Sequence, residues 1–473
     1  MGPCFANVEP VNRIVAILTI VFVLAGRGAA AQPVETPPPA PSAAPVELPP
    51  AGVIPASISI NVTGSPATDA DVLETQIRAA LTRQIRPTLR PGAAIAYGPI
   101  VPWPLLPLAS GSTTAVSVTV TIDADSSAVV TGITTVNVYN VALAPARPRV
   151  LFLSDDPEYL QSEGIVFRGD VAADRSARLY YYHSDIGLPR DVDVVVTAAV
   201  HSQVQLIASA AGPDLDVMSV GHTVSRDLLR FEQANEGALV DVDPGRPFVV
   251  RHGLLLAGEV LAGAADVRVV SGGPVTVSVL ASPAGSRPDA LLGGPRVAYD
   301  GHHRHGVFDL DGFGAIAASY VVGGPDAAAQ YGGRSQTLRN VDPNDPGRDY
   351  GDYGALHSIT FTLVNPSDAP QSVYLYEKPL GGPVRSTFVI DGQLKEMGCV
   401  RLQQPYWVNT YELPPRFTGV STILTMTDGG SFYPLELGAT TTQPLTYTPP
   451  VGSPDGCSPN APPFVDPTPP PGS

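Results

Sequence analysis

The sequence predicts a mainly β protein: one or two immunoglobulin-like β-sandwich domains, preceded by a small α+β domain and flanked by Pro-rich disordered tails. Three observations point there. The 473 residues include 51 Pro and 46 Gly, a density that breaks helices throughout. Hydrophobic residues make up 44% and charged residues only 15%, the reverse of a chain that stays unfolded along its length. From residue 148 onward, short alternating apolar runs recur between Gly/Pro turns at roughly ten-residue spacing, the rhythm of a sandwich or barrel.

Residues 1–31 read as a signal peptide. Arg13 precedes the apolar run Ile14–Gly26, and Ala29-x-Ala31 offers the small residues of a cleavage site. A run of about 13 residues is too short for a comfortable membrane span, and no later stretch reaches about 18. The mature chain is therefore expected outside the cytoplasm, as a secreted, extracellular, periplasmic or cell-surface protein with no integral span. Residues 32–52 follow as a Pro-rich linker, with Thr36-Pro-Pro-Pro and Leu48-Pro-Pro favouring extended polyproline II.

The formal net charge is −16, and loss of the leader makes the chain slightly more acidic. Nucleic acid and anionic membrane surfaces would be repelled, so neither is an expected partner. Cys4 leaves with the leader, which leaves Cys399 and Cys457. In an oxidising compartment their simplest state is a disulfide. It would close a loop of about 58 residues and contribute roughly 4 kcal/mol on the chain-entropy model.

Residues 53–147 form the predicted α+β domain. Ile58, Ile60 and Val62 alternate with polar residues as a half-buried strand does. Thr68–Asp71 resembles a capping box, and Val72, Leu73, Ile77, Ala80, Leu81 and Ile85 follow at helical spacing, ending before Pro87. Val116, Val118, Val120 and Ile122 mark a second strand, Val136 and Val138 a third.

Residues 148–322 read as a β-sandwich domain, with strands expected at 150–153, 164–167, 178–183, 193–200, 204–208, 238–242, 248–251, 267–270 and 275–280. Ser225 is placed to cap a short helix, 226–233. Residues 323–354 are polar and irregular, a long loop or linker. Residues 355–447 form a second sandwich or continue the first. Phe361–Tyr376 there resembles a strand–turn–strand hairpin of immunoglobulin-like domains. Residues 448–473 are a Pro-rich tail.

Four features bear on chemistry. Tyr299-Asp-Gly-His302-His303-Arg-His305 places three imidazoles in four residues, nitrogen ligands that a transition metal could use. In an extended segment His303 and His305 share a face and His302 points away. Asp309-x-Asp311-Gly312 and the 342–347 turn resemble oxygen-rich Ca²⁺ loops without EF-hand spacing. Tyr180 and Tyr182, on one strand face, and Tyr406 with Trp407 are rings on which a sugar could stack. No Gly-x-Ser-x-Gly elbow, phosphate loop or His-Glu-x-x-His motif is present.

The resulting expectation is a non-catalytic structural, adhesive or ligand-binding protein whose partner is a protein or glycan of the envelope or exterior. The alternative is a metal-binding protein or metal-dependent enzyme built on His302, His303 and His305.

Overall fold

The computed structural model describes residues 48–447 apart from 287, 334–337, 346 and 401–402. The predicted leader, most of the Pro-rich linker, the C-terminal tail and Cys457 lie outside the described residues. The protein is mainly β, in sandwich-like layers. No helix among the described residues is long and apolar enough to cross a membrane.

The largest layer is a twelve-stranded sheet. Its path starts at Ala94–Val101 and continues through Thr113–Asp123, Val130–Asn140 and Ser57–Thr63. It then crosses Gly237–Val242, Ser202–Asp214, Val260–Gly272, Ser176–Asp185, Val150–Ser154 and His305–Asp309 to the short Arg339–Asn340, and Tyr159–Leu160 pairs with Ser176–Asp185 off this path. Residues on either side of position 148 thus share one sheet. The joint is Ser57–Thr63, parallel to Val130–Asn140 on one side and antiparallel to Gly237–Val242 on the other.

Helix α1, Ala70–Ile85, covers the first part of this sheet. Leu73, Ile77, Leu81 and Ile85 recur every four residues, so one stripe meets the inward side chains Val116, Val118, Val120 and Ile122. Each of those fully buried residues stabilises the fold by roughly 1.5–3 kcal/mol relative to exposure. The anticipated capping box does not form. Thr68 Oγ1 instead donates to the Thr63 carbonyl, and the Asp69 N–H donates to Glu236 Oε1. The last linker residues also belong to the fold: Ala51 is buried in this core, and Pro50 bridges to Ala128.

The middle of the sheet is covered on both faces. A four-stranded sheet of Phe248–Leu255, Arg190–Ala198, Val275–Pro283 and Gly164–Val171 packs on one side. Along Ser176–Asp185, Leu179 and Tyr181 enter that core while Tyr180 and Tyr182 enter a second core opposite. Helix α2, Val217–Gln233, lies on the second side with Val220, Val224 and Leu228 facing Ile207, Ala262 and Ala264. The sequence indicated only its last two turns. The true cap is Asp216, whose carboxylate accepts from the Ser219 N–H and hydroxyl. Ser225 is a buried residue in mid-helix.

Two further sheets form the C-terminal stack. One holds Ala315–Val321, Leu356–Asn365, Phe417–Met426, Val384–Ile390 and Gln393–Val400; the other holds Ala327–Tyr331, Leu435–Thr440, Gln371–Pro379 and Tyr406–Leu413. Phe361, Phe388, Val373, Leu375 and Leu437 fill the space between them. Two expectations are corrected here. Phe361–Tyr376 is no hairpin, because its strands lie in opposite sheets and pair with others. The turn between them is fixed by Asn365, whose amide donates to the carbonyls of Ala369, Leu413 and Pro414. The polar 323–354 stretch contains the strands Ala327–Tyr331, in the C-terminal stack, and Arg339–Asn340, at the edge of the twelve-stranded sheet.

Candidate functional site

The histidine-rich segment is positioned by register. His305 opens the strand His305–Asp309 and sits opposite Ser154, so residues 299–305 fall against the turn that follows Val150–Ser154. The Asp155 N–H donates to the Arg304 carbonyl, and the N–H groups of Asp300 and Gly301 donate to the carboxylate of Asp156. Asp300 in turn accepts from the His302 and His303 N–H groups, closing a tight polar turn.

Within this frame each inward imidazole faces carboxylates. His303 Nδ1 lies 2.5 Å from Asp300 Oδ2, and its Nε2 lies 3.3 Å from Glu158 Oε2. His305, 4% exposed, places Nε2 2.9 Å from Asp345 Oδ1 and Nδ1 3.1 Å from Asp156 Oδ2. Its ring stacks on Tyr299 at 3.9 Å, and the Tyr299 hydroxyl donates to the other oxygen of Asp345. His302 is exposed and points away.

Between the two imidazoles comes Arg304. Its Nε donates to Asp155 Oδ2 at 2.9 Å, and its guanidinium lies 4.3 Å from the centre of the Tyr353 ring. Burial raises Asp155 to about 8 despite Arg304 beside it. His303 is also raised: burial works against its charge, but the bond to Asp300 and the charges of Glu158 and Asp300 prevail.

This arrangement is an acid–base clasp. Among the described residues no group of three or more His, Cys, Asp or Glu side chains converges as ligands, so His302, His303 and His305 are not brought together as one ligand set. At the acidic turns, Asp309 pairs with Arg339 and Asp311 with Arg149. In the 342–347 turn, Asp342 accepts from the Asn344 N–H and Asp345 faces His305.

The predicted stacking rings are equally committed. Tyr180 and Tyr182 are 1% and 7% exposed, because the sheet that carries them is covered on both faces. Trp407 is buried and donates to Thr410 Oγ1, while Tyr406 is half-buried at the edge of the C-terminal core. Cys399 is buried on Gln393–Val400. The ring of Tyr447 packs on neighbouring Gly398, so the chain leaves the described residues beside Cys399.

Several polar groups lacked any sequence signal because their partners are distant in the chain. Ser154 Oγ lies 3.0 Å from His183 Nε2, and His183 Nδ1 lies 2.9 Å from the Pro157 carbonyl. A carbonyl only accepts, so Nδ1 carries the proton and Nε2 accepts from the serine hydroxyl. Both residues are within 1% of full burial, and burial lowers His183 to about 4, which makes the pair a structural brace. Arg178, also 1% exposed, pairs with both Asp266 and Glu232 and thereby fastens the end of α2 to the sheet.

No protein-family model and no curated protein matches the chain. Among solved structures it is similar to tripeptidyl peptidase 2 at 11% identity and a TM-score of 0.16, covering 75% of this chain and 30% of that one. It is similar to Fet3p, a multicopper oxidase that functions in iron import, at 5% identity and a TM-score of 0.12, covering 67% and 69%. A Ca²⁺-stabilized adhesin of an Antarctic bacterium gives 8% identity and a TM-score of 0.07, covering 71% and 58%. The chain spans under a third of the first of these, and likeness at this level assigns no family or activity.

Proposed function

We propose that this chain is an exported, non-catalytic protein of the cell exterior that binds a protein or glycan ligand through loops displayed by its β layers. The two stacked β units are read as immunoglobulin-like scaffolds for those loops. One observation carries the reading. The end of Ala94–Val101 and the loop after it leave Val101, Trp103 and Leu106 exposed at 57%, 66% and 74%. An apolar cluster with an open indole is costly to leave in water and is the kind of surface that anchors partners. The histidines and acids of the clasp, by contrast, are engaged with one another.

The test is binding of the purified chain to isolated cell envelopes, untreated, protease-treated or glycosidase-treated, alongside a Trp103→Ala/Leu106→Ala variant. Retention by untreated envelopes, lost in one treated sample and weakened about tenfold or more in the variant, supports the reading. Absence of retention, or equal retention of the variant, overturns it.

A further inference from the structure

The strands Ser57–Thr63 and Gly237–Val242 pair only at Asn61–Leu239, Val62–Ala238 and Thr63–Gly237. Beyond Asn61 they part, although Ser57–Val62 stays paired to Val130–Asn140 on its other side. The gap is roofed by α1 and leaves a cleft of about 230 Å³ lined by Ser59, Asn61, Gln76, Arg83, Gln84 and Phe248. The cleft is concave, and polar groups able to orient a ligand line it.

Arg83 is its distinctive member. The guanidinium lies over the Phe248 ring at 4.7 Å, and it makes no hydrogen bond or ion pair among the described residues. Several arginines drawn into the fold have a carboxylate: Arg178, Arg190, Arg304 and Arg385 face Asp266, Asp185, Asp155 and Asp216. The acid on the cleft wall, Asp241, lies 3.7 Å from His201 and 3.5 Å from the Gln203 amide. In a chain of net charge −16, a half-buried guanidinium without an anion is a position that an anionic ligand could fill. Loss of solvation lowers Arg83 to about 10, which agrees with that geometry.

We propose that this cleft binds a small carboxylate-bearing molecule, its carboxylate on Arg83 and its polar body along Gln76 and Gln84. A planar guanidinium held against an aromatic face is preorganised to receive a carboxylate through two parallel N–H donors. The two glutamine amides supply both donors and acceptors, which suits a hydroxyl-rich or amide-bearing body. A uronic acid and the terminal carboxylate of a short peptide share this chemistry. The cleft lies apart in sequence from the Trp103 loop, and its occupation does not depend on the envelope-binding reading.

Calorimetric titration of the full chain with galacturonate, with N-acetylglycine and, as a neutral control, with galactose tests the proposal. Saturable binding of either carboxylate without binding of galactose is expected, and the preferred one identifies the source. Arg83→Gln should weaken it at least tenfold. Gln84→Glu, an exposed change that brings a negative charge to the cleft, should weaken it as well while leaving the thermal midpoint unchanged. Failure of both carboxylates to saturate at about 10 mM, or equal affinity in Arg83→Gln, overturns the proposal.

Discussion

His222 Nδ1 on α2 lies 2.7 Å from Asp428 Oδ2 in the C-terminal stack, and its Nε2 lies 3.1 Å from Glu396 Oε2. One imidazole thereby joins the helix to the stack. Burial opposes its charge, but the two carboxylates outweigh that and raise it to about 9. His222→Ala would leave Asp428 buried without its cation. Chemical denaturation should show a loss on the order of 3 kcal/mol, as when one partner of a buried ion pair is removed. A loss under about 0.5 kcal/mol would mean the bridge is idle.

Stability should fall as pH rises from near neutral to alkaline. Burial raises Asp155 to about 8, Asp352 to about 7 and Glu377 to about 8. Unfolded carboxyl groups titrate near about 4, so between these values the native state holds protons that the unfolded chain has released. His222 acts with the same sign: its contribution is whole below about 6.5 and is lost as pH passes about 9. His183, lowered to about 4, and His357, lowered to about 3, act with the opposite sign below about 6.5, so the thermal midpoint should drop by several degrees between about pH 6.5 and about pH 9. Glu377→Gln should flatten that slope. A midpoint constant across the range would contradict the assignment.

Arg178 is a second fastening whose removal can be predicted. Arg178→Met leaves Asp266 and Glu232 facing each other without a cation, at a cost of about 3–5 kcal/mol. Replacing all three groups together with apolar residues of similar size should recover most of that loss. Recovery in the triple variant, measured in urea, separates stranded charge from lost packing.

The clasp makes a prediction about metal. Untagged protein should show no stoichiometric Zn, Cu or Ni by elemental analysis, with or without His303→Ala/His305→Ala. The variant should nonetheless unfold earlier by roughly 1–3 kcal/mol, since Asp156 and Asp345 lose the ring between them. Stoichiometric metal in the parent, absent from the variant, would restore the metal reading.

Thiol titration addresses the Cys399–Cys457 bridge. Denatured but unreduced mature protein should expose no free thiol and yield two after reduction; two free thiols before reduction would exclude the bridge.

Much of the architecture was legible because burial on one face writes itself as alternation. Val116, Val118, Val120 and Ile122 are the clearest case, and α1 follows from its four-residue stripe. Helix α2 was half-hidden because Val217, Val220, Val224 and Gly221 weaken helical preference in its first turns. Gly221 is needed for contact: a Cβ there would lie 1.9 Å from the Gly429 carbonyl of the C-terminal stack. Such a close approach has no periodicity to reveal it. The clasp was half-legible for a related reason. His303 and His305 were visible as a cluster, but Glu158 and Asp156 come from a turn some 145 residues earlier, joined only by strand register. Tyr180 and Tyr182 show the limit of alternation, which tells which rings share a face but not whether that face is covered.

The place of Ser57–Thr63 between strands before and after it in the chain has a consequence for synthesis. Its neighbour Val130–Asn140 emerges soon, but Gly237–Val242 follows about 175 residues later. At about 5–20 residues per second, roughly 10–35 s pass with that hydrogen-bonding edge uncovered. A nascent chain in that interval carries an open β edge while the ribosome is still producing its cover.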